Sequence, residues 1–225
     1  YSDHADWWTL LFPPETYAEE VPVFLGLMAH VLGREPASLV EYGSGAGHMA
    51  VHYPSDCSVT LVDYSEAMLE VSKTLNPAKT HRCADMRTVD LDESVDAVLI
   101  HDAIMYLTTS ADVLACLTSA FQNLRPGGAL LVVPDVVSET FWERAVHGGN
   151  EEDNRAIQVM EWHWDPDPDD NQFFVEFVVM MRDGQTMDTL IERHTMGLFS
   201  YSEWVAMFQQ VGFELVSLPP ELMLS

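Results

Sequence analysis

The segment Ser38-Leu39-Val40-Glu41-Tyr42-Gly43-Ser44-Gly45-Ala46-Gly47 decides how the chain is read. A short run of strand character passes directly into three glycines at alternate positions. Glycines between a first strand and a first helix let backbone approach a ligand closely, at the strand ends where open α/β sheets bind nucleotides. The spacing here is Gly-x-Gly-x-Gly, not the Gly-x-Gly-x-x-Gly of dinucleotide sites, and Glu41 lies two positions before the first glycine. A carboxylate at that place repels a pyrophosphate. It suits a cofactor that carries an ammonium group and a sulfonium.

Outward from this segment, apolar runs alternate with helical periodicity as far as Pro134, the pattern of an open and mostly parallel α/β sheet. Strands are expected at Ser38 to Tyr42, Ser58 to Asp63, Thr80 to Cys83, Asp96 to His101 and Ala129 to Val133. Asp63 ends the second strand, where a carboxylate can accept both ribose hydroxyls of an adenosine, and Tyr64 follows it. Asp85, just past the third strand, is placed to accept from an adenine amino group, with Met68 and Met86 as apolar neighbours of the ring. Leu124-Arg125-Pro126-Gly127-Gly128 closes the set. Taken singly, the glycines read equally well as turn residues and the acids as helix caps.

Two core helices are expected. Ser65 caps one whose Met68, Val71 and Leu75 share a face, stopped by Asn76-Pro77, and Ser110 precedes another with Leu114, Leu117, Phe121 and Leu124 in a stripe. Ahead of the core, Tyr17, Val21, Phe24 and Met28 fall at helical spacing, with Pro22 marking a kink or a beginning. Beyond Pro134 the period changes to two. Phe173 to Arg182 and Thr186 to Thr195 flank Asp183-Gly184, a hairpin signal that would pair Phe173 with His194 and Phe177 with Leu190 and set Glu176 diagonal to Arg193. With Ile157 to Trp164 these make a small antiparallel sheet, while His147-Gly148-Gly149 reads first as a loop. Ser200 and Glu203 form a capping box for a last helix, closed by Gly212, and Phe213 to Ser217 reads as a final strand.

Composition narrows the function. The 225 residues include 36 acidic and 10 basic ones, a formal net charge of −26, so nucleic acid and anionic membranes are disfavoured as partners. No apolar run approaches the ~20 residues needed to cross a bilayer, and a cytoplasmic location is expected. Cys57, Cys83 and Cys116 are widely spaced and read as core residues, with neither a disulfide framework nor a metal site.

The ordered set Glu41, Gly43-x-Gly45-x-Gly47, Asp63, Asp85 and Leu124 to Gly128 resembles the core of class I S-adenosylmethionine (SAM)-dependent methyltransferases. The resemblance implies a Rossmann-like seven-stranded sheet with helices on both faces and an antiparallel last strand. It also implies SAM as cofactor, with S-adenosylhomocysteine as product. Ile104-Met105-Tyr106-Leu107, Glu139-Thr140-Phe141 and His194-x-x-x-Leu198-Phe199 are similar to the N,N-dimethyltransferases of nucleotide-linked aminosugars. Those enzymes insert a small antiparallel sheet between the fifth strand and the last helix and use it in substrate binding and dimer formation. On this reading residues 1–37 form a helical lid, 38–149 the SAM-binding core, 150–199 the antiparallel insertion and 200–225 the last helix and strands. Glu221 to Leu224 must then supply a short seventh strand, or that strand is missing.

Methyl transfer is an in-line displacement, so the enzyme chiefly holds a nucleophile near the methyl group and keeps water out. Candidate catalytic residues are His101, Asp102 and Tyr106 at the end of the fourth strand, with His194 from the inserted sheet. Tyr106 falls where the aminosugar enzymes also carry a tyrosine, which favours a role in positioning the acceptor. His101 reads also as a residue that lines the cofactor without moving a proton, and His194 as a half-buried sheet residue. Trp162 and Trp164 share a strand face and would wall a pocket or a dimer contact. Trp7 and Trp8 would sit in a lid or plug the core. The expected function is methylation of an N or O nucleophile on a small molecule, an amine being favoured, by a monomer or homodimer. The alternative is a SAM-binding regulator or partner subunit without turnover.

Overall fold

The computed structural model describes residues 5–217. Helix α1 (Ala5–Leu11) and a 3-10 turn at Pro14–Tyr17 lead into α2 (Glu20–Leu32), with Pro22 in its first turn, where a missing amide costs nothing. A parallel sheet follows, built from β1 (Ser38–Tyr42), β2 (Ser58–Asp63), β3 (Thr80–Cys83), β4 (Val95–His101) and β5 (Leu124–Val133) in the order β3-β2-β1-β4-β5. The switch of direction beside β1 opens a crevice at the carboxyl ends of β1 and β4. Central strands β1 and β4 are almost wholly buried, as expected for a sheet covered on both faces.

Helix α3 (Glu66–Leu75) is capped by Ser65, whose hydroxyl accepts from the Met68 amide. Helix α4 (Ser110–Asn123) is capped by Thr109 and not by Ser110. Its buried face is Val113, Cys116, Leu117 and Ala120, one position round from the expected stripe. Phe121 points outward and meets Phe213 edge-on at 5.1 Å. Cys57 and Cys116 are buried, but Cys83 is exposed.

The amino-terminal edge of the parallel sheet is tied by one acid. Asp96 at the start of β4 is bidentately bound by Arg34, paired with Arg125 at 2.8 Å, and accepts from the amides of Ala37 and Ser38. These bonds join the loop after α2, β1, β4 and the start of β5. Arg34 foremost, with the Ala37 amide and Arg125, holds the Asp96 carboxyl down at about 2 against the opposing effect of desolvation.

The second sheet is antiparallel, β6 (Arg144–Glu152), β7 (Arg155–Trp164), β8 (Gln172–Asp183) and β9 (Thr186–Gly197) in that order. It begins at Arg144, six residues before the expected boundary at 150, and His147-Gly148-Gly149 is strand and not loop. The β8–β9 turn is Gly184-Gln185, with Gly184 at φ 59°, so Phe173 pairs with Met196 and Phe177 with Glu192. This register is two residues from the expected one. Each side chain therefore keeps its face, while Glu176 and Arg193 stand directly opposite and form an ion pair.

Helix α5 (Tyr201–Val211) carries the expected capping box of Ser200 and Glu203 and ends at Gly212, φ 108°. Phe213 to Ser217 is not a strand, so the parallel sheet has five strands among the described residues where seven were expected. The expected strand at Glu221 to Leu224 lies outside the described residues.

One face of the small sheet packs on α1 and the main domain. Ile157, Val159, Val179 and Met181 meet Trp8 and Leu11 of α1 together with Ala46 and Met68 of the parallel-sheet domain. Three polar contacts reinforce this packing. Arg155 lies over the Trp7 ring at 3.9 Å, Asn150 donates to the Leu11 carbonyl, and Thr9 bonds His48 at 3.1 Å.

Candidate active site

The carboxyl ends of β1, β2 and β4 open into a cleft of about 700 Å³ to which the small sheet contributes His194. The glycine turn forms its floor. Gly43 at φ 70° lies so close to Ala103 that any side chain would overlap that methyl, and Gly47 at φ 73° is crowded by Ser72 and Asn76. Only glycine satisfies both demands at once. Ser44 is buried, and its hydroxyl has no hydrogen-bond partner among the described residues, which leaves it ready for a polar ligand atom.

Glu41 is also buried, and the Tyr53 hydroxyl donates to its carboxylate at 2.8 Å. Burial pushes Glu41 up to about 7, partly offset by the Tyr53 bond and reinforced by the charges of Asp63 and Asp102. Asp63 accepts from the Gly45 amide at 2.7 Å and from Ser65 at 2.8 Å, one bond on each oxygen. Each oxygen thus retains a lone pair toward the cleft. Tyr64 and Met68 line the same wall, Tyr64 being 80% exposed.

Asp85 and Met86 line the next part of the cleft. Arg87 donates to both oxygens of Asp85 and, through its other nitrogen, to Asp112 at 2.6 Å. The Asp85 carboxyl is held below its usual range chiefly by this guanidinium. Arg87 is the one Lys or Arg among the described residues of the cleft wall. The acids, the glycine cradle and the unpartnered Ser44 hydroxyl fit a cofactor with an ammonium, a ribose and a purine. Among the described residues no group of three or more His, Cys, Asp or Glu is arranged for a metal ion.

At the end of β4, Asp102 takes φ 30°, a strained value for a side-chain-bearing residue, and its amide donates to Val133 at 3.2 Å. His101 lies against Phe24 and reaches Asp102 at 3.0 Å, and burial lowers its basicity. The Asp102 carboxyl shares a hydrogen bond with Asp135, and burial foremost raises both, Asp135 also by the charge of Asp102. Both residues keep contact with solvent, the Asp102 side chain at 50% exposure. One shared proton relieves the repulsion between them.

A 3-10 turn at Ala103–Tyr106 buries Ile104 and Met105 and so turns Tyr106 outward into the cleft. There its hydroxyl meets His194 Nδ1 of β9 at 3.0 Å, and His194 Nε2 lies 3.3 Å from Glu192 Oε2. Two residues 88 apart in sequence thus share one wall. Trp162 and Trp164 do not line this cleft: they alternate with Glu161 and His163 and fall on the outer sheet face, Trp162 being 53% exposed.

Sequence reasoning passed over Tyr17, His48 and Asp135. His48 follows Gly47 directly and lines the cleft, with burial lowering it to about 4. Tyr17 lies near Asp102, Glu20, Glu41 and Asp135, and burial raises its phenol. His48 and Asp135 lie on turns that carry no periodic signal, and Tyr17, expected on a helix face, ends the 3-10 turn ahead of α2. Adjacency to the glycine motif could have marked His48.

Residues 40–132 match a family of methyltransferase domains. The chain is 27% identical over 220 residues to the dTDP-3-amino-3,4,6-trideoxy-alpha-D-glucopyranose N,N-dimethyltransferase of Streptomyces venezuelae, a span of 95% of this chain and 91% of that protein. The crystal structure of Streptomyces venezuelae DesVI is similar with a TM-score of 0.83 at 24% identity, covering 94% of this chain and 89% of that one. SAM-bound CalS10, an amino pentose methyltransferase from Micromonospora echinaspora, is similar with a TM-score of 0.73 at 22% identity, covering 87% and 83%.

Proposed function

We propose, from the match of residues 40–132 to a family of methyltransferase domains, that this chain transfers a methyl group from SAM to the amine nitrogen of a small molecule. The chain is a SAM-dependent methyltransferase of small molecules; the amine is the finer step. The observation that carries it is the continuity of the cleft, which joins Glu41, Gly43, Gly45 and Asp63 to Tyr106 and His194.

In this reading Glu41 and the turn of Gly43, Gly45 and Gly47 receive the methionine end, Asp63 and Tyr64 the ribose, and Asp85, Met68 and Met86 the adenine. Tyr106 orients the acceptor, and His101 and Asp102 border the space between. SAM supplies an electrophilic methyl group. The chain's own residues bring the nitrogen into line, exclude water and give the departing proton a destination.

The relatives act on aminosugars, one of them dTDP-linked by name. For this chain an amine without a diphosphate is favoured, because Arg87 is already shared between Asp85 and Asp112. Such a cation is poorly placed to hold a phosphate. The same reading includes a cytoplasmic enzyme that dimerises through the outer face of the small sheet. Among the described residues no helix is long and apolar enough to cross a membrane.

Incubation with methyl-tritiated SAM and a panel of amines, alcohols, carboxylates and phosphate-bearing compounds tests the acceptor class. Label is expected in amines foremost. Methylation confined to carboxylates or phosphate-bearing compounds overturns the proposal, and tight SAM binding with no label transfer to any acceptor would instead mark a binding protein.

A further inference from the structure

Asp102 and Asp135 are brought together by parallel register. His101 and Val133 are partners across β4 and β5, so the residues that follow each strand leave the sheet at the same edge. The two carboxyls then share a hydrogen bond. Asp102 lines the cleft and Asp135 does not, which makes Asp102 the member of the pair that a ligand meets. Its backbone is held on both sides, the amide donating to Val133 and the carbonyl accepting from the Met105 amide at 2.9 Å.

The charged and titratable groups that face the pair come from five elements. They are Glu20 of α2, Tyr17 of the 3-10 turn, Glu41 of β1, His101 of β4 and His163 of β7. None is a lysine or an arginine. His163 is engaged by Glu161 at 3.1 Å, and His101, whose Nε2 stands 3.0 Å from Asp102 Oδ1, is made less basic by burial. Even with one shared proton, the pair therefore carries a negative charge that the protein does not offset. A ligand cation offsets it. Ser44 lines the same cleft, is only 7% exposed, and has no partner for its hydroxyl among the described residues, an independent mark of a polar ligand in this space.

We infer that the Asp102 carboxylate binds the acceptor as its ammonium ion and removes the proton that blocks attack, with Asp135 as the positioning residue that shares its own proton with Asp102. This deepens the amine methylation proposed above and rests on it. The ammonium donates to Asp102, its N–H bond breaks, and the proton passes to the carboxylate, so the pair holds two protons and no charge. Beside a sulfonium an ammonium is a stronger acid than in water, which lowers the cost of that transfer. The nitrogen lone pair then forms the new N–C bond as the C–S bond breaks and leaves its electrons on sulfur. The methylated product departs as a cation. Asp102, half exposed, returns one proton to water, and the pair is restored. Burial foremost holds Asp135 up at about 7, so near neutrality it retains a proton to share.

The test uses the full chain and the amine of the panel that takes most label. Asp102→Asn should lower kcat/KM for that amine about 100-fold and weaken its binding, measured by calorimetry with S-adenosylhomocysteine present, at least about 10-fold, while the Kd for S-adenosylhomocysteine itself stays unchanged. Asp135→Ala should lower kcat about 10-fold or more, and Asp135→Asn, which keeps an N–H donor for Asp102, should recover most of that loss. Wild-type amine affinity in Asp102→Asn overturns the assignment, and so does an equal loss of amine and S-adenosylhomocysteine affinity, which marks a residue that only shapes the cleft. Asp135→Asn as slow as Asp135→Ala overturns the shared proton. Label in no amine at all overturns the amine proposal itself, whereas amine methylation indifferent to Asp102→Asn overturns the pair alone.

Discussion

Glu41 carries a demand that its position alone does not suggest. Burial holds its carboxyl up at about 7, so near neutrality a large fraction is protonated. A ligand ammonium seated beside the carboxylate favours the ionised form and lowers that value, so binding expels a proton. Affinity for SAM should therefore fall as pH drops below about 7 and level off above it. Calorimetry at about pH 6.5 in buffers of different ionisation enthalpy should report net proton release, and Glu41→Gln, which retains an acceptor for Tyr53, should remove it. An equal uptake or no linkage at all would refute this. Residue identity made Glu41, Asp63 and Asp85 legible in the sequence, since each ends or follows a strand beside the glycine turn. The partners of Asp85 and Asp102 were not, because Arg87 and Asp135 act through side-chain reach and not through spacing.

Whole elements were legible where their ends are marked chemically. The bounds of β1, β2 and β3 agree with the sequence reading: glycine and aspartate punctuate the apolar runs of β1 and β2, and Asn76-Pro77 ahead of β3 separates that polar strand from α3. Strand β6 was missed because most of it is exposed and it contains Gly148 and Gly149, so pairing with β7 and not local preference makes it a strand. The face of α4 was misjudged because Phe121, apolar by type, points outward and meets only the edge of Phe213, a neighbour distant in sequence. Position also explains why a charge can anchor the sheet. Asp96 fastens four segments far from the cleft, and Asp96→Ala should destabilise the fold by roughly 2–4 kcal/mol in urea unfolding while leaving SAM affinity in the folded protein unchanged. Because its carboxyl is depressed to about 2, this contribution is complete above the unfolded value near ~4 and is lost as pH falls toward 2. A variant as stable as the parent at neutral pH would contradict the assignment.

For the whole molecule, charge and exposed apolar surface pull in opposite directions. Each chain carries −26, yet the outer face of the small sheet presents Met160, Trp162, Met180 and Ile191 to solvent, Ile191 at 71%. A pair joined through that face gains apolar burial and suffers long-range repulsion, so added salt should strengthen it. Light scattering should give twice the 25.3 kDa chain mass, with the dimer favoured at high ionic strength. A monomer at high concentration and high salt would rule that interface out. Helix α1 joins the two sheets of each copy, and its Trp8 side chain lies in both the packed seam and the wall of the cleft. The indole is therefore an intrinsic optical reporter: filling the cleft changes the polarity around a fluorophore that the protein already carries.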